Sequence, residues 1–211
     1  MKPQIDYSIY LVTDDSWLKG RSLTECVRRA LDGGVTLVQY RSKQRDGGPM
    51  YAEALQLKAL CDEYNVPLII NDRVDLAMAV GAAGVHLGQD DLPCTAARRL
   101  LGDEYVIGVS AHNPEEALQA ITDGADYLGC GAVFGSATKQ EVHELGLANL
   151  RAIRNVSKLP IVGIGGITAA NYGQVLQTGA DGAAIISGIL ASGDIAAEVR
   201  RLAAIRRQFL K

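Results

Sequence analysis

Five short polar stretches in this chain each close an apolar run: Gln39-Tyr40-Arg41-Ser42-Lys43, Asn71-Asp72-Arg73, His86-Leu87-Gly88-Gln89-Asp90-Asp91, Ser136-Ala137-Thr138-Lys139 and Gly163-Ile164-Gly165-Gly166. Together they hold cations, carboxylates, amides and glycine turns, the set that suits a phosphorylated substrate and a metal ion. Arginine offers a planar fork to phosphate oxygens and lysine a compact point charge. Arg41 and Lys43 are two residues apart, so they point the same way if strand geometry persists past the run before them. Asp72 and Asp91 are hard oxygen donors suited to one magnesium, with water and phosphate oxygens completing the shell. Gly165-Gly166 and Ile186-Ser187-Gly188 suit a phosphate met by backbone amides. No Ser-His-Asp or Cys-His arrangement stands out, so no covalent enzyme nucleophile is expected.

Such motifs meet only if the fold brings many strand ends together. Apolar, β-branched runs fall at Ile9–Val12, Leu37–Tyr40, Leu68–Ile70, Gly84–Leu87, Val106–Val109, Tyr127–Cys130, Ile161–Ile164 and Ala183–Ile186. Helix-period segments alternate with them, among them Leu23–Leu31, Tyr51–Tyr64, Pro114–Thr122, Leu147–Asn155 and Ile195–Phe209. Near-continuous apolar strands fit a parallel sheet covered by helices. The spacing, about 26 residues per βα unit, predicts one compact α/β domain over 1–211, a (β/α)8 TIM barrel, with a doubly wound sheet as the alternative. Ser22-Leu23-Thr24-Glu25 reads as a capping box, and Asn113-Pro114-Glu115-Glu116 as an N-cap followed by proline. A recurring connector, Asp32-Gly33-Gly34-Val35, Gly81-Ala82-Ala83-Gly84, Asp123-Gly124-Ala125-Asp126 and Thr178-Gly179-Ala180-Asp181, puts glycine where a helix ends left-handed.

Composition excludes several classes. The 211 residues are 48% hydrophobic and balance 21 basic against 24 acidic side chains. That balance argues against a general nucleic-acid binder, which needs a basic surface to displace counterions. Met1 to Tyr7 lack the apolar run of a signal peptide and no later stretch approaches a membrane span, so the expected compartment is the cytoplasm. The four cysteines, Cys26, Cys61, Cys94 and Cys130, lie far apart with no Cys-x-x-Cys pair, which predicts reduced, buried thiols. Oligomeric state is not legible.

The motifs Gln39-Tyr40-Arg41-Ser42-Lys43, Ile70-Asn71-Asp72-Arg73, Gly84 to Asp91, Ile107-Gly108-Val109-Ser110, Ala137-Thr138-Lys139 and Val162 to Ile167 resemble, in order and over almost the whole chain, the thiamine-phosphate synthase family. The resemblance implies a transferase that joins a hydroxymethylpyrimidine diphosphate to a thiazole phosphate, releasing pyrophosphate. It makes Asp72 and Asp91 the ligands of Mg2+, and gives the diphosphate to Arg41, Lys43 and Lys139 as catalytic cations. Gln39, Tyr40, Ser42, Asn71 and Ser110 then complete the pyrimidine diphosphate site. Ser136, Ala137, Thr138, Gly166, Ile186 and Ser187 form the thiazole phosphate site. The family usually carries an acidic residue where Ser42 stands, and proline-threonine where Gly135-Ser136 stand, which alters local charge and loosens one loop. Other readings remain for particular residues. Asp90 fits a helix cap, His86 a packed core residue, and His112 either the site or the cap at Asn113; Arg45 and Arg73 read as solvated or structural. Two rival functions are a thiazole tautomerase of the same superfamily and a non-catalytic barrel that binds thiamine phosphate.

Overall fold

A computed structural model describes residues 2–43, 45–135 and 146–209. Eight parallel strands close into a barrel in sequence order: β1 (Ile9–Val12), β2 (Leu37–Tyr40), β3 (Leu68–Asn71), β4 (Gly84–Leu87), β5 (Val106–Ala111), β6 (Tyr127–Gly131), β7 (Ile161–Ile164) and β8 (Gly182–Ile185). β8 pairs with β1 through Ile9 with Ala183, Tyr10 with Ala184 and Leu11 with Ile185, so the sheet has no edge. The expected (β/α)8 barrel is the fold, and the doubly wound alternative is excluded by this closure.

The helices are α1 (Leu23–Gly33), α2 (Gly47–Glu63), α3 (Val74–Val80), α4 (Cys94–Leu101), α5 (Pro114–Thr122), α6 (Gly146–Val156), α7 (Tyr172–Leu176), α8 (Ser187–Leu190) and α9 (Ile195–Arg207). Gly34, Gly81, Gly124 and Gly179 have positive φ at the turns into the next strands, as the connector predicts. At α5 the Asn113 side chain accepts from the Glu116 N–H at 2.8 Å, the predicted cap. Two capping expectations are corrected. Ser22 occupies the N-cap of α1 but its hydroxyl makes no cap bond, and α4 is entered through Pro93 rather than capped by Asp90.

Side chains alternate across each strand. Ile9, Leu11, Val38, Tyr40, Leu68 and Ile70 face outward into the layer under the helices. Tyr10, Val12, Leu37, Ile69, Val106, Tyr127, Val162 and Ala184 fill the interior, with Ile5 and Tyr7 packed against them. Continuing that alternation to the strand ends turns Gln39, Asn71, His86 and Ser110 inward. Of the two interior tyrosines, Tyr127 needs space that a glycine on the neighbouring strand provides. A Cβ on Gly108 would lie 2.1 Å from Tyr127 Cζ. Gly108→Ala is therefore expected to cost about 1–3 kcal/mol by overpacking, read as a fall of several degrees in Tm in thermal unfolding; an unchanged Tm would show that the interior is not tightly filled.

Candidate active site

The carboxyl ends of the strands surround a cavity of about 440 Å³. Its lining includes Gln39, Arg41, Lys43, Asn71, His86, Ser110 and His112 on one side and Val162, Ile164, Gly165, Ala184 and Ile186 on the other. Seven candidate or weighed residues scattered from 39 to 112 thus meet because their strands are adjacent in the barrel. The apolar remainder of the wall is the outer end of the interior packing, which excludes water and strengthens charge interactions at the mouth.

β2 ends at Tyr40, and the chain beyond it is held against the end of β1. Thr13 Oγ1 accepts from the Arg41 N–H at 2.9 Å and donates to the Arg41 carbonyl at 3.0 Å. Arg41 Nη1 lies 2.7 Å from Asp14 Oδ2, with both side chains largely buried. Burial pushes the Asp14 carboxyl up, but hydrogen bonds from Ser16 and then the Arg41 guanidinium outweigh it and hold the group below the usual carboxylate value. Ser42 Oγ approaches Asp15 Oδ2 at 3.4 Å. This loop, with Asp14, Asp15 and Ser16 all lining the cavity, is the part of the site that the sequence reading passed over. Its signal was present, since Thr13-Asp14-Asp15 closes the apolar run Ile9–Val12 just as the other motifs close theirs. Arg45, read as structural or solvated, lies 3.3 Å from Glu53.

Tyr40 departs from expectation. Its ring is fully buried on the outer face of the barrel and its hydroxyl donates to Glu53 Oε2 at 2.8 Å, because alternation sends residue 40 away from the side that Gln39 faces. Its side chain supports the Arg45–Glu53 contact under α2 and does not line the cavity. His86 is a packed, hydrogen-bonded residue, as read, and it also lines the cavity floor. Burial drives its imidazole down to about 4, against a weaker opposing pull from Asp91, so the ring is neutral at pH 7. Gly129 leaves the room the ring occupies, since a Cβ there would lie 2.7 Å from His86 Cε1. His112 satisfies both of its readings: it lines the cavity and its Nδ1 lies 2.8 Å from Glu116 Oε2 near the α5 cap.

Asp72 and Asp91 come together beside Asn71, one at the end of β3 and one in the loop after β4. Asp72 has φ +61, a left-handed conformation that aspartate tolerates better than most residues. Its N–H donates to the His86 carbonyl at 2.8 Å, which fixes the turn out of the barrel. Asp91 Oδ2 accepts from the Gly88 N–H at 2.6 Å, and a Cβ on Gly88 would lie 2.9 Å from that oxygen. Partial burial, then the neighbouring Asp91 carboxyl, raise the Asp72 pKa to about 6, while Arg41 and Lys43 pull it the other way. Neither carboxylate lines the main cavity; Asp72 follows Asn71, which does, and lies within electrostatic reach of Arg41 and Lys43.

Gly165 and Gly166 both have positive φ, and a Cβ on either would run into Ala132 or Phe134 at 2.6 and 2.8 Å. Gly165 and Ile186 line the cavity, while Gly166 and Ser187 adjoin them in sequence. Ser136, Ala137, Thr138 and Lys139 lie outside the described residues, as does His143.

A (β/α)8 barrel that gathers two cations, two facing carboxylates and a ring of amide and hydroxyl groups at its carboxyl end defines a phosphate-handling enzyme class. The sequence pattern of thiamine monophosphate synthase matches residues 9–189. A thiamine-phosphate synthase of Chloroflexus aurantiacus is 50% identical over 202 residues, 95% of this chain and 93% of that one. Another, of Clostridium acetobutylicum, is 48% identical over 196 residues, 93% of each chain. The solved structure of a thiamine phosphate pyrophosphorylase from Pyrococcus furiosus shares 39% identity with a TM-score of 0.91 over 98% of both chains. The chain belongs to the thiamine monophosphate synthase family.

The raised pKa of Asp72 has a definite sign. Its folded value, about 6, lies above the ordinary 3.8, so ionised Asp72 opposes folding above pH 6, and the penalty is relieved as pH falls toward 4. With divalent cations chelated, Asp72→Asn is expected to raise Tm at pH 7.5 and to lose that advantage by pH 4. Equal Tm differences at both pH values would contradict the repulsive pairing.

Proposed function

We propose that this chain condenses a hydroxymethylpyrimidine diphosphate with a thiazole phosphate to give thiamine phosphate and pyrophosphate, at the mouth of the barrel and with magnesium. The observation that carries the site assignment is the meeting of Arg41 and Lys43 with the Asp72–Asp91 pair beside Gln39, Asn71 and Ser110. The relatives carry the synthase name, and the tautomerase and sensor readings gain nothing from them.

The donor set fits a magnesium ion. Two carboxylates face each other under a mutual repulsion that a cation would relieve. Among the described residues no cluster of three or more such ligands occurs, which leaves the other positions to water and diphosphate oxygens, the usual mode for this ion. Asp72 and Asp91 would hold it, and when bound it supplies divalent counter-charge to the leaving diphosphate.

The remaining work falls to the chain's own groups. Arg41 and Lys43 stand where negative charge grows as the bond between the pyrimidine methylene carbon and the diphosphate oxygen breaks, and the resemblance gives Lys139 the same task. Asp14 holds the Arg41 fork in place before substrate arrives. Gln39, Asn71 and Ser110 hold the aminopyrimidine, whose ring stabilises the cation left behind, and the thiazole nitrogen then captures that cation. Gly166, Ile186 and Ser187, with Ser136, Ala137 and Thr138, are assigned to the thiazole phosphate. Ser42 and the backbone at Tyr40 complete the diphosphate loop. Catalysis is then a matter of charge and position, without a covalent enzyme intermediate.

No helix of the described residues is long and apolar enough to cross a membrane. Cytoplasmic location is part of the proposal, supported by four buried cysteines that are all free.

The reading is tested by mass-spectrometric detection of thiamine phosphate from the two substrates, with magnesium and with excess chelator. Product is expected only with magnesium, and Asp91→Ala or Arg41→Ala should lower kcat by about a hundredfold or more. Undiminished product in chelator would reject the metal, and absence of product despite bound substrates would reject the coupling.

A further inference from the structure

At the base of the cavity, side chains from five strands form one unbroken line of hydrogen bonds, whose middle members, Tyr10, Tyr127 and His86, have no part in the reaction as described above. Gln39 Nε2 donates to the Tyr10 hydroxyl at 2.6 Å. The Tyr10 and Tyr127 hydroxyls are 2.9 Å apart. Tyr127 Oη lies 2.9 Å from His86 Nδ1, and His86 Nε2 lies 3.1 Å from Ser110 Oγ. Gln39 and Ser110 at the two ends line the cavity, as do Tyr10 and His86 between them, and the Tyr10 and Tyr127 side chains are 1% and 0% exposed.

Every interior member of this line has one proton to give. Burial raises both phenols above their usual value and lowers His86, so all three are neutral at pH 7. A hydroxyl that accepts on one side must donate on the other, and a neutral imidazole that accepts at one nitrogen donates at the other. With Gln39 Nε2 donating, Tyr10 donates to Tyr127, Tyr127 to His86 Nδ1, and His86 Nε2–H to Ser110 Oγ. The Ser110 proton is thereby left for the cavity, and the Gln39 carbonyl oxygen is left as an acceptor. The opposite sense beyond Tyr10 would leave the Tyr10 proton without a partner among the described residues, on a side chain only 1% exposed.

We propose that this buried chain fixes which end donates and which accepts toward the substrate, so that Tyr10, Tyr127 and His86 are specificity-determining positioning residues for the aminopyrimidine. An aminopyrimidine offers a ring-nitrogen acceptor beside an exocyclic amino donor, the complement of a hydroxyl donor at Ser110 and an amide acceptor at Gln39. A site whose polar groups are locked in one sense rejects analogues that lack the matching group far better than one whose groups can turn. The inference rests on the assignment of Gln39 and Ser110 to the pyrimidine made under the proposed function.

The test is steady-state kinetics on the full chain for Tyr127→Phe, Ser110→Ala and the double variant, using the pyrimidine diphosphate and an analogue lacking the exocyclic amino group. Tyr127→Phe keeps the ring and removes only the central hydroxyl. It is expected to raise KM for the pyrimidine diphosphate about tenfold, to leave KM for the thiazole phosphate unchanged, and to reduce the preference over the amino-less analogue. The double variant should be no worse than Ser110→Ala alone, because the two changes break the same chain. Tyr10→Phe, at the Gln39 end, must show the same KM pattern if Tyr127→Phe does not fold. Additive losses, or a lowered Tm with both KM values and the analogue preference unchanged, would overturn the proposal while Ser110→Ala still impairs pyrimidine binding. If Ser110→Ala leaves the pyrimidine KM unchanged, the site assignment itself fails, and the proposal with it.

Discussion

The site depends on the pairing of β8 with β1. Hydrogen bonds between those strands turn an open sheet into a ring, and a ring forces every second side chain of eight strands to share one narrow interior. Part of that interior is satisfied by apolar groups such as Val12, Leu37, Ile69 and Val106. Other inward positions are polar, and buried polar groups must find partners or bear the cost of desolvation. Gln39, Tyr10, Tyr127, His86 and Ser110 satisfy one another across the barrel. The floor of the cavity is rigid for that reason, and small neighbours at Gly108 and Gly129 are what let the large rings of Tyr127 and His86 occupy the axis.

Above the floor the arrangement is electrostatic. Arg41 is paired with Asp14, and Lys43 stands nearby. Asp72 and Asp91 face each other, and their repulsion is moderated by the same two cations. The mouth therefore holds carboxylates beside its cations rather than a bare basic patch. The slight overall charge of −3 agrees with phosphate recognition by a local cluster.

Much of this was legible beforehand. Strands of a parallel barrel are buried on both faces, so they appear as continuous apolar runs, and β1, β2, β4 and β7 begin and end where those runs do. The helix of 11 residues at Leu23 and that of 13 residues at Ile195 show a clear period, and the Asn113 cap forms as written. The short helices α3, α7 and α8, of seven, five and four residues, complete barely two turns and carry too little period to be read alone. Ser22 shows the opposite case, a capping signature without a capping bond. Local sequence there offers a donor and acceptor, but packing of Leu23 and Cys26 sets the approach of the chain.

Residue type and spacing by themselves determined the fold class, the strand ends and the chemical inventory, because periodicity and charge are local properties of the chain. Only the tertiary structure decided which inventory members meet. Tyr40 lies within the motif yet turns outward to Glu53, because a strand cannot send consecutive residues to the same face. Asp14 lies outside every motif singled out, yet grips Arg41, because β1 and β2 are neighbours and Thr13 ties their ends together. The partners of His86, at positions 110 and 127, come from two further strands, and no spacing along the chain encodes that contact. It exists because closure of the ring brings side chains far apart in sequence within hydrogen-bond distance.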